Sequence, residues 1–344
     1  MIKTSFVFTA AVFLCLAAAA FAQAPSKEGV YEARALTRAK KFSEAAVLYR
    51  KAIERDPTDA DSHVSLSWCY LEIKKYQEAI DIARIAVKLD PTEAAAHNNL
   101  GWGLLMLNQD NAAIEAFKAA LSVDPRHVMS SNNLGYAYLK LGRDDEAIAT
   151  LEGTLELDPS FLKAHNNLAR LYFRNGKYSK VIEHLAIVGE LDPESLSRDS
   201  HHSTLGAAYM NSGQHLKAIE AFQKAAALNP KEIQNLKNLG VAQMAAGKKE
   251  DGIETFRTIL LQRPKDFDTL FSLGLAYAQT ARHDDSILIL KEALAVKPNS
   301  ERAMMMLAGA YISKGDKEAA RALIPKLREL DEDLAANLEK ALSK

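Results

Sequence analysis

The sequence predicts an all-α protein, a solenoid of about nine tandem helix-turn-helix repeats closed by a C-terminal capping helix. Prolines carry the first observation. Pro57, Pro91, Pro125, Pro159 and Pro193 stand 34 residues apart, and Pro264 and Pro298 resume that step after Pro230 falls three residues late. The second is that apolar and small residues recur in the same register. The third is composition: 48% hydrophobic and 25% charged residues are the proportions of an ordinary globular chain, so neither disorder nor a membrane-embedded chain explains the pattern. A residue type recurring at constant spacing along nearly the whole chain signals a solenoid, in which each repeat buries its apolar face only against the next.

With the recurring proline set as position 32, each repeat reads alike. Position 7 is Leu66, Leu100, Leu134, Leu168, Leu205, Leu239, Leu273 and Leu307. Position 8 is always small, as in Ser67, Gly101, Gly135, Ala169, Gly206, Gly240, Gly274 and Ala308. Positions 4, 7, 8 and 11 share one face of a first helix, and positions 20, 24 and 27 one face of a second. Alanines at position 20 (Ala45, Ala79, Ala113, Ala147, Ala218, Ala320) and the small residue at position 8 let two backbones approach closely. Position 24 supplies a large side chain, as in Tyr49, Phe117, Leu151, Phe222 and Phe256. Gly142, Gly176, Gly213, Gly247 and Gly315, with Asn108, hold position 15, where a left-handed residue ends the first helix. Asp-Pro pairs such as Asp56-Pro57 and Asp90-Pro91 stop the second, because proline donates no backbone hydrogen bond and excludes the helical conformation before it.

These residues resemble the tetratricopeptide repeat. Ala96-His97-Asn98-Asn99-Leu100-Gly101, followed by Ala113, Phe117, Ala120 and Pro125, matches its pattern closely. The resemblance implies a right-handed superhelical solenoid. It divides the chain into repeats 26–59, 60–93, 94–127, 128–161, 162–195, 199–232, 233–266, 267–300 and 301–334. Residues 335–344 end a capping helix in which Leu334, Leu338 and Leu342 recur every four residues. Three departures carry expectations. Glu32 stands at position 7 of the first repeat, which reads as a worn cap. Pro325 should kink or split the last second helix. Residues 196–198 add three positions between repeats five and six, read either as a longer loop or as a bend dividing the array into five plus four.

Before the array, Lys3, the apolar run from Phe6 to Ala20 and Ala20-Phe21-Ala22 describe a secretory signal peptide (residues 1–22) cleaved after Ala22. The expected location is therefore periplasmic or secreted, with no membrane span left after cleavage. Cys69 is then the only cysteine, so stability must come from packing and not from a disulfide. A formal net charge of −1 makes nucleic acid a poor default partner. No phosphate loop, HExxH or paired-cysteine motif appears, so no enzyme and no cofactor is expected. His201-His202 invites a metal reading, but His202 shares position 4 with His63, His97 and His165, which structure explains.

Position 9 lies opposite the buried stripe of the first helix. It runs Trp68, Trp102, Tyr136 and Arg170, and positions 5 and 6 beside it give Asn98-Asn99, Asn132-Asn133 and Asn166-Asn167, with Asn238 later. In the family this side lines a concave, peptide-binding groove. Two readings stay open. The aromatics and amides form a recognition surface centred on repeats two to five, or they pack and bond to one another as a structural ladder. Lys163, Arg170 and Arg174 add a local basic spot that suits an acidic residue of a partner or is simply solvated. The asparagine ladder also looks like that of the O-linked N-acetylglucosamine transferases, without their transferase domain. The expected function is a non-enzymatic scaffold or adaptor of the cell envelope that binds a peptide or protein segment. The alternative is a glycan-binding part of a polysaccharide export or envelope assembly system.

Overall fold

The computed structural model describes residues 29–343, and every regular element among them is helical. The expected signal peptide lies outside the described residues. The chain divides into two compact blocks, one ending at Leu171 and the other beginning at Tyr172.

In the first block α1 (29–38) and α2 (Phe42–Arg55) form repeat one. They are followed by α3 (Ala60–Glu72) and α4 (Tyr76–Leu89), α5 (Ala94–Met106) and α6 (Asp110–Val123), and α7 (Val128–Lys140) and α8 (Asp144–Leu157). The division of the blocks falls inside α9 (Leu162–Arg174). The second block continues with α10 (Tyr178–Leu191), α11 (Asp199–Asn211), α12 (His215–Leu228), α13 (Ile233–Ala245), α14 (Lys249–Gln262), α15 (Phe267–Gln279) and α16 (His283–Val296). It ends with α17 (Glu301–Lys314), α18 (Lys317–Arg321), α19 (Ile324–Leu330) and α20 (Glu332–Leu342). Within each block a helix packs on the next one, and the first helix of a repeat also packs on the first helix of the next, as α3 does on α4 and α5. Such neighbour-only packing defines a solenoid.

One size rule closes each hairpin. The position-8 glycine of the first helix faces the position-24 side chain of the second. A Cβ built on Gly101 would meet the Phe117 ring at 2.6 Å, and one on Gly240 would meet Phe256 at 2.5 Å. Removing that carbon lets the ring approach the backbone closely, and Phe117, Phe222 and Phe256 are all buried. Each such side chain stabilises the stack by about 1.5–3 kcal/mol through burial alone. Repeat two uses the opposite combination, with Ser67 at position 8 and Ala83 at position 24.

Both connections are fixed by backbone chemistry. At position 15 all nine residues have positive φ: glycines 142, 176, 213, 247 and 315 between 69° and 89°, and Lys40, Lys74, Asn108 and Ala281 between 58° and 61°. Between repeats the position-31 aspartate folds back on the turn. Asp90 Oδ1 accepts from the Thr92 amide at 2.8 Å and from its hydroxyl at 2.7 Å, and Asp56 with Thr58 and Asp158 with Ser160 repeat the motif. These bonds hold all three carboxyls below the usual aspartate range. Position-4 histidines lock the same turn from the other side. The Nε2–H groups of His97, His165 and His202 donate to the carbonyls of Pro91, Pro159 and Leu196, each at 2.9 Å.

A β-carbon in the left-handed region costs about 1–2 kcal/mol, partly offset because glycine gives the unfolded chain more freedom. Ala281→Gly is therefore expected to raise the unfolding free energy by about 0.5–1 kcal/mol in a urea titration, and Gly247→Ala to lower it by a similar amount.

The departures resolve as follows. Glu32 is exposed while its neighbour Ala33 is fully buried. Pro325 does split the last second helix, sitting in the first turn of α19 after the short α18. The amphipathic α20 then covers the end of the stack, with Ala335, Leu338 and Leu342 buried beside Met304 and Leu327. The compact blocks do not follow the insertion. The blocks divide at 171 and 172, and the end of repeat five with the first two inserted residues winds into a 3-10 turn, Pro193–Ser197, that joins α10 to α11 within one block, with Arg198 extended after it. Proline at its start and the His202 bond to the Leu196 carbonyl absorb the extra length locally.

Candidate functional site

The first helices of repeats two to five bring their positions 2, 5, 6, 9 and 13 to one groove of about 350 Å³. Its aromatic wall is Trp68, Trp102 and Tyr136, all half-buried, with the Trp102 and Tyr136 ring centroids 6.0 Å apart and the rings tilted by 41°. Trp102 and Tyr136 rest on the core around Phe117 and Tyr138, which fixes their orientation. Asn132, Asn133, Asn166 and Asn167 also line the groove, together with Glu72, Met129 and Lys163.

The asparagines divide into two groups. Asn98, Asn99 and Asn132 are each 3% exposed and Asn133 is 6% exposed, and their amides join one repeat to the next. Asn133 Nδ2 donates to Asn98 Oδ1 at 2.9 Å, and Asn167 Nδ2 donates to Asn132 Oδ1 at 3.1 Å. Asn99 Nδ2 donates to the Val64 carbonyl at 3.1 Å and to Ser67 Oγ at 2.9 Å. A position-6 amide thus bonds back to position 5 of the preceding repeat. The buried members act as rungs and leave little capacity for a ligand. Asn166 is exposed, its Nδ2 turned to the Leu162 carbonyl at 3.0 Å.

Arg170 is exposed and has no ion-pair partner among the described residues. Arg174 and Asn238 belong to the second block. Asn238 Oδ1 accepts from Gln234 Nε2 at 2.9 Å. Glu72, at position 13, and Met129, at position 2, were not singled out in the sequence. The only signal for them is that positions 2 and 13 flank position 9 on the helix surface.

The other chemistry-bearing residues are built into the packing. Cys69 is fully buried among Ala33, Ala45, Tyr49 and Leu66, and burial pushes its thiol up. His201 is buried against His202, with ring centroids 5.4 Å apart. Burial, and then the neighbouring His202, hold its imidazole below the ordinary histidine range. No group of three His, Cys, Asp or Glu side chains placed to hold a metal occurs among the described residues. No described helix is long and apolar enough to cross a membrane.

The fold defines a class of protein, a helical-repeat solenoid, here with a groove lined by aromatic and amide side chains. Tetratricopeptide repeat family models match residues 36–102 and 277–343, residues 98–160, 145–186 and 237–301, and residues 202–232. The chain belongs to the tetratricopeptide repeat family.

Among solved structures, PilW, a widely conserved type IV pilus biogenesis factor, aligns with TM-score 0.55 and 21% identity over 63% of this chain and 97% of its own. A tetratricopeptide repeat protein from Parabacteroides merdae ATCC 43184 aligns with TM-score 0.51 and 15% identity, covering 73% of this chain and 99% of its own. YrrB, described as having an unusual peptide-binding site, aligns at TM-score 0.45 and 22% identity over 55% of this chain and 95% of its own. At these identities the likeness is one of fold. No curated protein matches the sequence.

Proposed function

We propose that the protein is a scaffold or adaptor that holds a peptide or protein segment in the groove of repeats two to five, in the cell envelope. The observation that carries this is the half-exposed Trp68, Trp102 and Tyr136 wall, set over a floor of buried, mutually bonded asparagines. Rigid aromatics held in place from behind present wide contact area at little entropic cost. The groove's groups are aromatics, amides and a few isolated charges, which suit binding better than catalysis. The envelope location rests on the leader-like pattern of residues 1–22.

Trp102→Ala is expected to keep the helical circular-dichroism spectrum and to weaken capture of the protein's partner by at least about 2 kcal/mol, roughly thirtyfold. An unchanged set of partners, recovered by crosslinking from position 102 of the wild type and from position 68 of the variant, would remove the reading. Envelope polysaccharide is the competing occupant. A tryptophan-fluorescence titration that saturates with polysaccharide and is abolished in the variant would favour it.

A further inference from the structure

The groove has an electrical polarity. Glu72 closes it at repeat two and Lys163 lines it at repeat five, where Arg170 stands nearby on the same helix. All three side chains are exposed, and none has an ion pair or hydrogen-bond partner among the described residues. A charge at the equivalent helix position two repeats on is paired instead. Lys140 holds the same position 13 in repeat four that Glu72 holds in repeat two. Its ammonium donates to Asp110 Oδ1 at 2.6 Å, Asn108 Oδ1 at 2.8 Å and the Leu105 carbonyl at 3.2 Å. The unpaired charges of the block's groove are therefore of opposite sign and at opposite ends, with the apolar wall between them.

Resting on the peptide reading above, we infer that the groove's partner is an extended segment with a basic residue at the repeat-two end, a bulky apolar or aromatic residue in the middle and an acidic residue at the repeat-five end. Each matched charge lies at a solvent-exposed rim, so it should change affinity about two- to fivefold and fade at high salt. Two such contacts select among partners that all satisfy the aromatic wall.

The test is selection from a phage-displayed library of random peptides about twelve residues long. It is run on the full chain as wild type, Glu72→Lys, Lys163→Glu, the double variant and Trp102→Ala. Both charged side chains are exposed, so these reversals leave packing untouched. The wild type should enrich peptides carrying one basic and one acidic residue on opposite sides of an apolar one. Glu72→Lys should shift the enrichment to two acidic residues and Lys163→Glu to two basic ones, while the double variant returns to one of each. Fluorescence-polarisation titrations of the winning peptides should lose these differences near 1 M salt.

Peptides enriched without charge bias, or a bias unmoved by both reversals, overturn the inference and leave the peptide-binding groove standing. No enrichment above Trp102→Ala overturns both.

Discussion

Phe117→Ala should lower the unfolding free energy by about 3–5 kcal/mol, because the ring is fully buried and lies against the bare backbone at Gly101. The loss should be readable as a fall in the urea midpoint. A second substitution separates the size rule from simple burial. Gly101→Ser alone forces its new side chain into the ring and should cost about 1–3 kcal/mol. The two changes together recreate the Ser67 and Ala83 combination of repeat two. The double variant should then be more stable than the summed losses require, by a coupling of about 1–3 kcal/mol. Strict additivity would mean that positions 8 and 24 do not choose each other's size.

Asn98→Ala should cost about 1–3 kcal/mol, although it removes only one exposed-looking polar residue of the sequence. Its Oδ1 accepts from Asn133 Nδ2 at 2.9 Å and from Ser130 Oγ at 3.3 Å, all three residues being buried. The change leaves the Asn133 amide without its acceptor, at about 1–3 kcal/mol, while the Ser130 hydroxyl keeps His127 Nδ1 at 2.6 Å. Asn166→Ala is the control. That side chain is exposed, so stability should stay within about 0.5 kcal/mol of wild type. Thermal unfolding followed at 222 nm compares the two. Equal effects would mean that the amide ladder is not the inter-repeat rung system that its hydrogen bonds describe.

What could be read in advance follows the physics of each position. The hairpin was legible because its constraints act through residue type: only a small side chain fits at position 8 and only proline stops the helix so abruptly. Position 15 was legible where glycine or asparagine marks it, but Lys40, Lys74 and Ala281 take the same left-handed conformation with no local advertisement. There the neighbouring helices impose the turn and the residue bears the strain. The asparagines show a deeper limit. Their register placed them correctly beside the aromatic column, but a helical wheel does not say how far a side chain is covered by the next repeat. It therefore could not separate the rungs Asn98, Asn99, Asn132 and Asn133 from the exposed Asn166. Glu72 and Met129 were missed because positions 2 and 13 vary freely in chemistry from repeat to repeat. The three inserted residues at 196–198 were legible as an interruption, but the compact 3-10 turn Pro193–Ser197 that takes in the first two of them was not. That outcome depends on a histidine reaching the Leu196 carbonyl.

The amide rungs have a mechanical meaning. Asn133 to Asn98 and Asn167 to Asn132 each tie a residue to one 35 places earlier and to nothing farther along the chain. Tension applied along the array would pass through every seam in series, so the weakest would tear first and leave the others closed. The molecule should yield like a zip and not like a snapped rod, and on release each hairpin could re-seat against a neighbour that never let go.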